Sequence, residues 1–265
     1  MNELPLKIRD SHILIYADDV KLFRPVKNTK DCASLQRDVD SFVQFCSECG
    51  LTVNAAKCSS VKFTKKRSVT AFDYTINNQP VMEKSSVKDL GVIFDNKMTF
   101  NKHIETTASR AMSIYGMTKR YCHDFSDPHA ILAIYFGLAR SILEYASVIW
   151  TPVYEIHKKR VVRVQKLFIR YAVKNVTWGL RELPYEELCR RMNVNTLRDR
   201  RTILDMPFLS DLLHSRFHCP YLRRSIRENV EGRQLRRTRT FQVQPRSTTQ
   251  QKIMNITLNV NYYLT

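Results

Sequence analysis

No stretch of the 265-residue sequence reaches the roughly 18 consecutive apolar residues that a helix needs to cross a bilayer. The first residues also lack the basic, apolar and small-residue layout of a secretory leader, so the expectation is a soluble, intracellular chain, with nucleus or cytoplasm left open. Glycine is scarce, at 6 residues, while 43% of residues are hydrophobic and 10% aromatic. That composition excludes a collagen-like or disordered chain and leaves a globular one. Cysteines number seven, an odd count that without a leader speaks for reduced thiols, most of them small core residues, and against a disulfide framework. Acids are in short supply, 25 against 43 basic residues, for a formal net charge of +18. A chain this basic associates with polyanions through counterion release before any specific contact forms. The excess is uneven: residues 1–95 hold 14 Lys and Arg against 12 Asp and Glu, and residues 96–265 hold 29 against 13.

The length admits one large domain or two unequal ones, and the hydrophobic periodicity changes along it. "HILIYADDVKLF", residues 12–23, reads as strand, tight turn and strand, with aspartates at the tip. From Thr29 to Cys49, Leu35, Val39, Phe42, Val43 and Cys46 recur at intervals of three and four before Gly50, which predicts one amphipathic helix with a glycine stop. Residues 51–95 are short β-rich runs with a turn at "NNQP". After that, strand signals nearly vanish. Helices are expected from about Thr99 to His123, from the cap "SDP" to about Trp150, and from about Val153 to Asn175, with shorter ones near 184–192 and 195–215. The third helix separates an apolar face, Val161, Val164, Phe168 and Tyr171, from a basic stripe, Lys159, Arg163, Lys166, Arg170 and Lys174. The expected fold class is α+β, with a mostly antiparallel sheet over 1–95, a helical region over 96–215, and a basic, poorly ordered tail over 216–265.

Asp18 and Asp19 repel one another unless a cation or water screens them. Adjacent aspartates are common in solvated turns. They are also the donors that a hard divalent ion takes, Mg²⁺ keeping its other positions for water and phosphate oxygens. Two such ions about 4 Å apart activate an attacking hydroxyl and stabilise a leaving pyrophosphate.

A series of segments in order along the chain gives this choice a direction. "YADD" (Tyr16 to Asp19) resembles the palm-hairpin signature of reverse transcriptases; "GLTVNAAKCSSVKF" (Gly50 to Phe63) is similar to the next palm motif, and "LGVIFD" (Leu90 to Asp95) to the hairpin that grips the primer end. "FNKHIETTASRAMSIYGMTKR" and the stretch from "RSILEYASVIWTP" to "VQKLFIRYA" resemble the thumb and connection region of non-LTR, jockey-like retrotransposon polymerases, and "MNELP" resembles the segment before their hairpin. The resemblance implies a partial polymerase palm with its hairpin and one helix, followed by an all-helical thumb. It implies Asp18 as principal metal ligand and Asp19 as its less tightly coordinated neighbour, both catalytic. Tyr16 would lie near the primer terminus, Lys57 would neutralise or protonate the departing pyrophosphate, and Gly91 would let backbone approach the primer. Mg²⁺ is the implied cofactor, and an RNA template, a DNA primer and deoxynucleoside triphosphates are the implied partners of the intact parent.

In that family the fingers and the strand bearing another indispensable Asp precede this hairpin, and 15 residues cannot hold them. The expectation is therefore the C-terminal part of a reverse transcriptase, inactive alone, with an exposed sheet edge where the partner strand is missing. The alternative is a non-enzymatic, sequence-independent RNA- or DNA-binding remnant that uses the basic helices; a helical scaffold for protein partners ranks below both. The stripe from Lys159 to Lys174 is expected to contact nucleic-acid backbone, with Trp150, Tyr154 and Trp178 as stacking or core aromatics. "CSEC" (Cys46 to Cys49) and "HSRFHC" (His214 to Cys219, with Cys189 upstream) are zinc candidates of poor spacing, core packing being the simpler role for the first.

Overall fold

The computed structural model describes residues 3–66, 70–174, 180, 182–216 and 222–223, together with the backbone of 226–228, 241–243 and 256–264. The chain divides into two units, residues 1–99 with 244–265 and residues 100–243. In the first, a short helix, α1 (Leu4–Lys7), precedes the antiparallel hairpin β1 (His12–Tyr16) and β2 (Asp19–Arg24), in which Tyr16 stands opposite Asp19 across a two-residue turn. Side chains alternate along a strand, and here Val20 and Leu22 are buried against the next element, α2 (Thr29–Glu48). That helix starts at a capping box, the Asn28 side chain accepting from the Asp31 N–H and the Asp31 carboxylate from the Asn28 N–H. It ends before Gly50, whose φ of 71° is the left-handed stop expected there. Leu35, Val39, Phe42 and Cys46 make its buried stripe. Asp38, in the middle of α2 and only 3% exposed, accepts the backbone N–H groups of Arg9 and Asp10 at 3.1 Å each. This buried carboxylate ties the segment that enters β1 to the helix.

Seven short strands follow: β3 (Leu51–Val53), β4 (Ser59–Val61), β5 (Thr75–Ile76), β6 (Gln79–Pro80), β7 (Met82–Glu83), β8 (Ser86–Asp89) and β9 (Val92–Asp95). β5 and β6 pair through Asn77 and Asn78, at φ 50° and 59°, and β8 and β9 through Leu90 and Gly91, at φ 43° and 84°. Two positive φ values in a two-residue turn match the twist of the flanking strands. The largest sheet is completed by a strand from far along the chain, Ile256–Leu264, which pairs antiparallel with β2, β3 and β4, while β7 pairs parallel with β4. β2 is thus paired on both sides, and β1 stands at the edge of the sheet. Segment 256–264, "ITLNVNYYL", alternates apolar and polar residues, a strand signal that a search for helical period alone passes over.

The second unit is helical. α3 (Asn101–Tyr121) is followed by α4 (Pro128–Ile134), capped by Asp127 and not by Ser126, the Asp127 carboxylate accepting from the His129 N–H at 2.9 Å. The single helix expected to run to Trp150 is broken. Residues Tyr135–Arg140 widen into a π-helical turn, α5 (Ser141–Glu144) follows, and the chain bends at Ala146, φ 51°, into α6 (Ser147–Trp150). The break is held by Trp150, which is buried and donates its indole N–H to the Tyr145 carbonyl at 2.8 Å. α7 (Glu155–Ala172), α8 (Tyr185–Arg191) and α9 (Leu197–Leu213) complete the helices described. Fully buried Gln165 of α7 joins all three: its amide donates to the Asn195 carbonyl at 2.9 Å, and its oxygen accepts from the Leu197 N–H at 3.0 Å and from the Tyr185 hydroxyl. Arg200 of α9 donates twice to Glu144 of α5, at 2.9 Å each. Short strands β10 (Ile226–Glu228) and β11 (Phe241–Val243) pair antiparallel, and Ile256–Leu264 becomes β12. Within the stretch expected to be a poorly ordered tail, 216–265, the described residues beyond 223 are these strands. Among the described residues, no helix is long and apolar enough to cross a membrane.

Two stability predictions follow from this packing. Replacing Asp38 by Ala removes the acceptor of two backbone N–H groups in a part-buried site, and should destabilise the first unit by about 2 kcal/mol in urea titrations. A loss below about 0.5 kcal/mol would mean that water replaces the carboxylate. His103 is buried edge-on against Trp150, with ring centroids 5.0 Å apart. Burial, with the Arg110 charge adding to it, lowers its pKa, so the folded chain holds it neutral. The unfolded chain takes up that proton near about pH 6.5, so the contribution is complete above that value and is lost as pH falls toward the folded-state pKa. Urea midpoints of the second unit should fall between about pH 7.5 and about pH 5.5 in the native chain and fall less in His103→Phe.

Candidate functional site

The turn between β1 and β2 is Ala17 and Asp18. Ala17 adopts φ 51°, a left-handed conformation that costs an L-residue about 1 kcal/mol, and Asp18 is exposed at the tip. Asp19 is the first residue of β2 and only half-exposed. Because Val20 and Leu22 are buried against α2, Asp19 and Lys21 stand on the other side of the strand. A cavity of about 260 Å³ opens there, lined by Asp19 and Lys21 of β2, Lys57 from the short 3₁₀ turn Ala55–Lys57, and Lys84, Lys88 and Asp89 around β8. Lys21 and Asp89 form an ion pair at 2.5 Å. Four lysines against two aspartates leave the lining cationic. Asp19 and Lys57, singled out separately in the sequence, therefore share one cavity, whereas Asp18 is not among its lining residues. Tyr16 is 63% exposed on the edge strand β1. Gly91 supplies the second positive φ of the β8–β9 turn, which is reason enough for a glycine there.

Lys84 and Lys88 were not legible as site residues. They reach the cavity through the parallel pairing of β7 with β4 and through the β8–β9 hairpin, contacts that no local pattern announces.

As for a metal, Asp18 and Asp19 are the carboxylates of the hairpin, and no group of three or more His, Cys, Asp or Glu able to hold an ion occurs among the described residues. A two-ion centre needs a further bridging carboxylate, so these residues do not fit one; the cationic cavity fits phosphate oxygens. The zinc candidates fare as follows. Burial pushes the Cys46 and Cys189 thiols up to about 11, away from the thiolate that a metal takes. Cys49 and His214 are exposed, and His218 and Cys219 lie outside the described residues.

On α7 the apolar face is as read from the sequence, with Val161, Val164, Phe168 and Tyr171 buried. The basic stripe divides in two. Lys159, Arg163 and Arg170 are exposed and lie within about 40° of one another around the helix. Lys166 lies 4.8 Å from the Tyr185 ring centre. Lys174 lies 4.2 Å from that of Tyr171 and donates to the His123 carbonyl at 2.9 Å. These two serve the packing of the unit. Trp150 is a core residue, Tyr154 is 67% exposed, and Trp178 lies outside the described residues.

With this geometry in place, the relatives of the chain can be set beside it. Parts of it are similar to RNA-directed DNA polymerases of mobile elements. It is 31% identical over 96 residues to the RNA-directed DNA polymerase from mobile element jockey of Drosophila melanogaster, a match covering 36% of this chain and 10% of the relative. It is 26% identical over 177 residues to the probable RNA-directed DNA polymerase from transposon X-element of Drosophila melanogaster, covering 64% of this chain and 19% of the relative. The jockey polymerase of Drosophila funebris is 33% identical over 96 residues, 35% of this chain and 10% of the relative. The chain thus spans a tenth to a fifth of the length of the curated relatives it matches. No family model matches it, and no solved structure does.

Proposed function

We propose that this chain is part of an RNA-directed DNA polymerase of a non-LTR retrotransposon, with residues 1–95 the C-terminal part of the palm and residues 96–215 the thumb and basic helical region. The observation that carries this reading is the shared cavity of Asp19 and Lys57, flanked by Lys84 and Lys88. A cavity with that lining suits a phosphate-bearing ligand, because lysines offer point charges to phosphate oxygens without demanding a particular base. In the parent enzyme Asp18 and Asp19 would be ligands of catalytic Mg²⁺, Lys57 would balance charge on the departing pyrophosphate, and Tyr16 would lie beside the primer terminus. RNA template, DNA primer and deoxynucleoside triphosphates are the parent's partners in this reading. The 265-residue chain alone is proposed to be inactive, since a two-ion centre needs several carboxylates converging on the ions and no group of three or more His, Cys, Asp or Glu able to hold an ion occurs among the described residues.

The second reading is a sequence-independent nucleic-acid-binding protein. It is favoured by one observation: Lys159, Arg163 and Arg170 are exposed on one face of α7, and Glu155, the only acid between residues 151 and 175, pairs with Lys158 at 2.7 Å.

Primer extension on an RNA template with Mg²⁺ should give no product with this chain; synthesis that disappears in Asp18→Asn or Asp19→Asn would overturn the claim of inactivity and establish the acids as catalytic. Binding should nonetheless be measurable. Titration of an RNA–DNA hybrid at several salt concentrations should give a steep decline of affinity with salt, and a triple Ala variant at Lys159, Arg163 and Arg170 should lower that slope by about 2 to 3. Lys166→Ala and Lys174→Ala should instead lower the stability of the unit and leave the slope nearly unchanged. Binding that is indifferent to salt would remove the stripe from the interface.

A further inference from the structure

In the sheet order β1-β2-β12-β4-β7, β2 and β4 flank a gap one strand wide that β12 fills. With β12 in place, none of Val20 and Leu22 of β2 and Ser59, Ser60 and Val61 of β4 is more than 3% exposed. An empty gap would leave the N–H and C=O groups of β2 and β4 that face it without strand partners, a loss that each group makes separately. The walls come from the first hundred residues, but the filling strand comes from beyond the whole second unit. Bringing in so distant a segment carries a loop-closure cost that a local hairpin avoids. The geometry is that of an acceptor sheet and a donor strand, the arrangement by which extended peptides add to an open sheet edge.

The donor is matched to its place. β12 pairs with β2 over six consecutive residues, setting Leu258 against Leu22 and Val260 against Val20, and its last three residues pair with β3. Opposite Lys21 and Asp19 stand Asn259 and Asn261.

We propose that the sheet of the first unit is a strand-acceptor site for an extended segment of alternating apolar and polar residues, and that residues 256–264 fill it in cis as a replaceable donor. This does not rest on the polymerase reading, since it concerns backbone pairing alone. The test uses the full chain carrying Val260→Pro, which removes a ladder N–H from the middle of an interior strand, and a fluorescent synthetic peptide of sequence ITLNVNYYL. The variant should capture the peptide one to one, or refold only in its presence if it does not fold alone, at least about tenfold more tightly than the native chain, whose site is filled. The same peptide with Pro at its fifth position should neither bind nor rescue. Equal binding to both chains, or no capture and no rescue, overturns the proposal. As an independent readout, hydrogen exchange of the native chain should find the amides of residues 20–24 and 59–61 about 100-fold more protected than those of β1; equal rates would overturn it. A native chain that is a strand-exchanged dimer in solution would overturn the supply in cis.

Discussion

The alternation along β2 governs the first unit. Val20 and Leu22 are buried against α2, and a strand that commits those two residues inward must put Asp19, Lys21 and Phe23 on its other side. A slip of one residue would reverse every assignment, burying the acid and exposing the valine. Asp38 guards against such a slip, because its two hydrogen bonds to Arg9 and Asp10 fix where the chain enters β1 relative to the helix. The capping box at Asn28 fixes where it leaves β2. With both ends held, Asp19 and Lys21 have one place to be, and the cavity that gathers Lys57, Lys84 and Lys88 forms around them.

The positive charge of the chain divides into structural and available parts, and net charge alone does not separate them. Arg24 pairs with Asp31 and donates to the Asp10 carbonyl, Arg160 pairs with Glu105, and Arg200 is held twice by Glu144. Arg201 is nearly buried, its guanidinium 5.7 Å from the Trp150 ring, and burial lowers its pKa. These cations hold helices and loops in place. What remains for a polyanion is the subset that geometry leaves at the surface, such as Lys159, Arg163 and Arg170. Net charge is thus an argument about partners and association, and only the structure says which residues make it.

The sequence was most legible where one period ruled a long segment. α2 and the apolar face of α7 follow directly from apolar residues at intervals of three and four, because a helix closes its hydrogen bonds locally and needs only one face covered. It was least legible where tertiary contacts overrode local pattern. The segment from Pro128 to Trp150 has unbroken helical periodicity, yet burying Trp150 with its N–H on the Tyr145 carbonyl requires the bend at Ala146. β12 was missed because the strands it pairs with, β2, β3 and β4, all lie in the first unit's early residues, on the far side of the second unit in sequence. At the site, the motif gave Asp19 and Lys57 but not their meeting, and Lys84 and Lys88 were invisible because their arrival depends on strand pairing.

Electrostatics also explains why acids and lysines belong together at this cavity. Like charges repel, and the cavity keeps its two carboxylates, Asp19 and Asp89, among four lysines. One of those lysines, Lys21, is already committed to Asp89, so the positive excess of the lining rests on Lys57, Lys84 and Lys88. Lys84 and Lys88 arrive there only through the β4–β7 and β8–β9 pairings. The sign of the charge that Asp19 faces is therefore set by strand pairing and not by the residues beside it in the sequence.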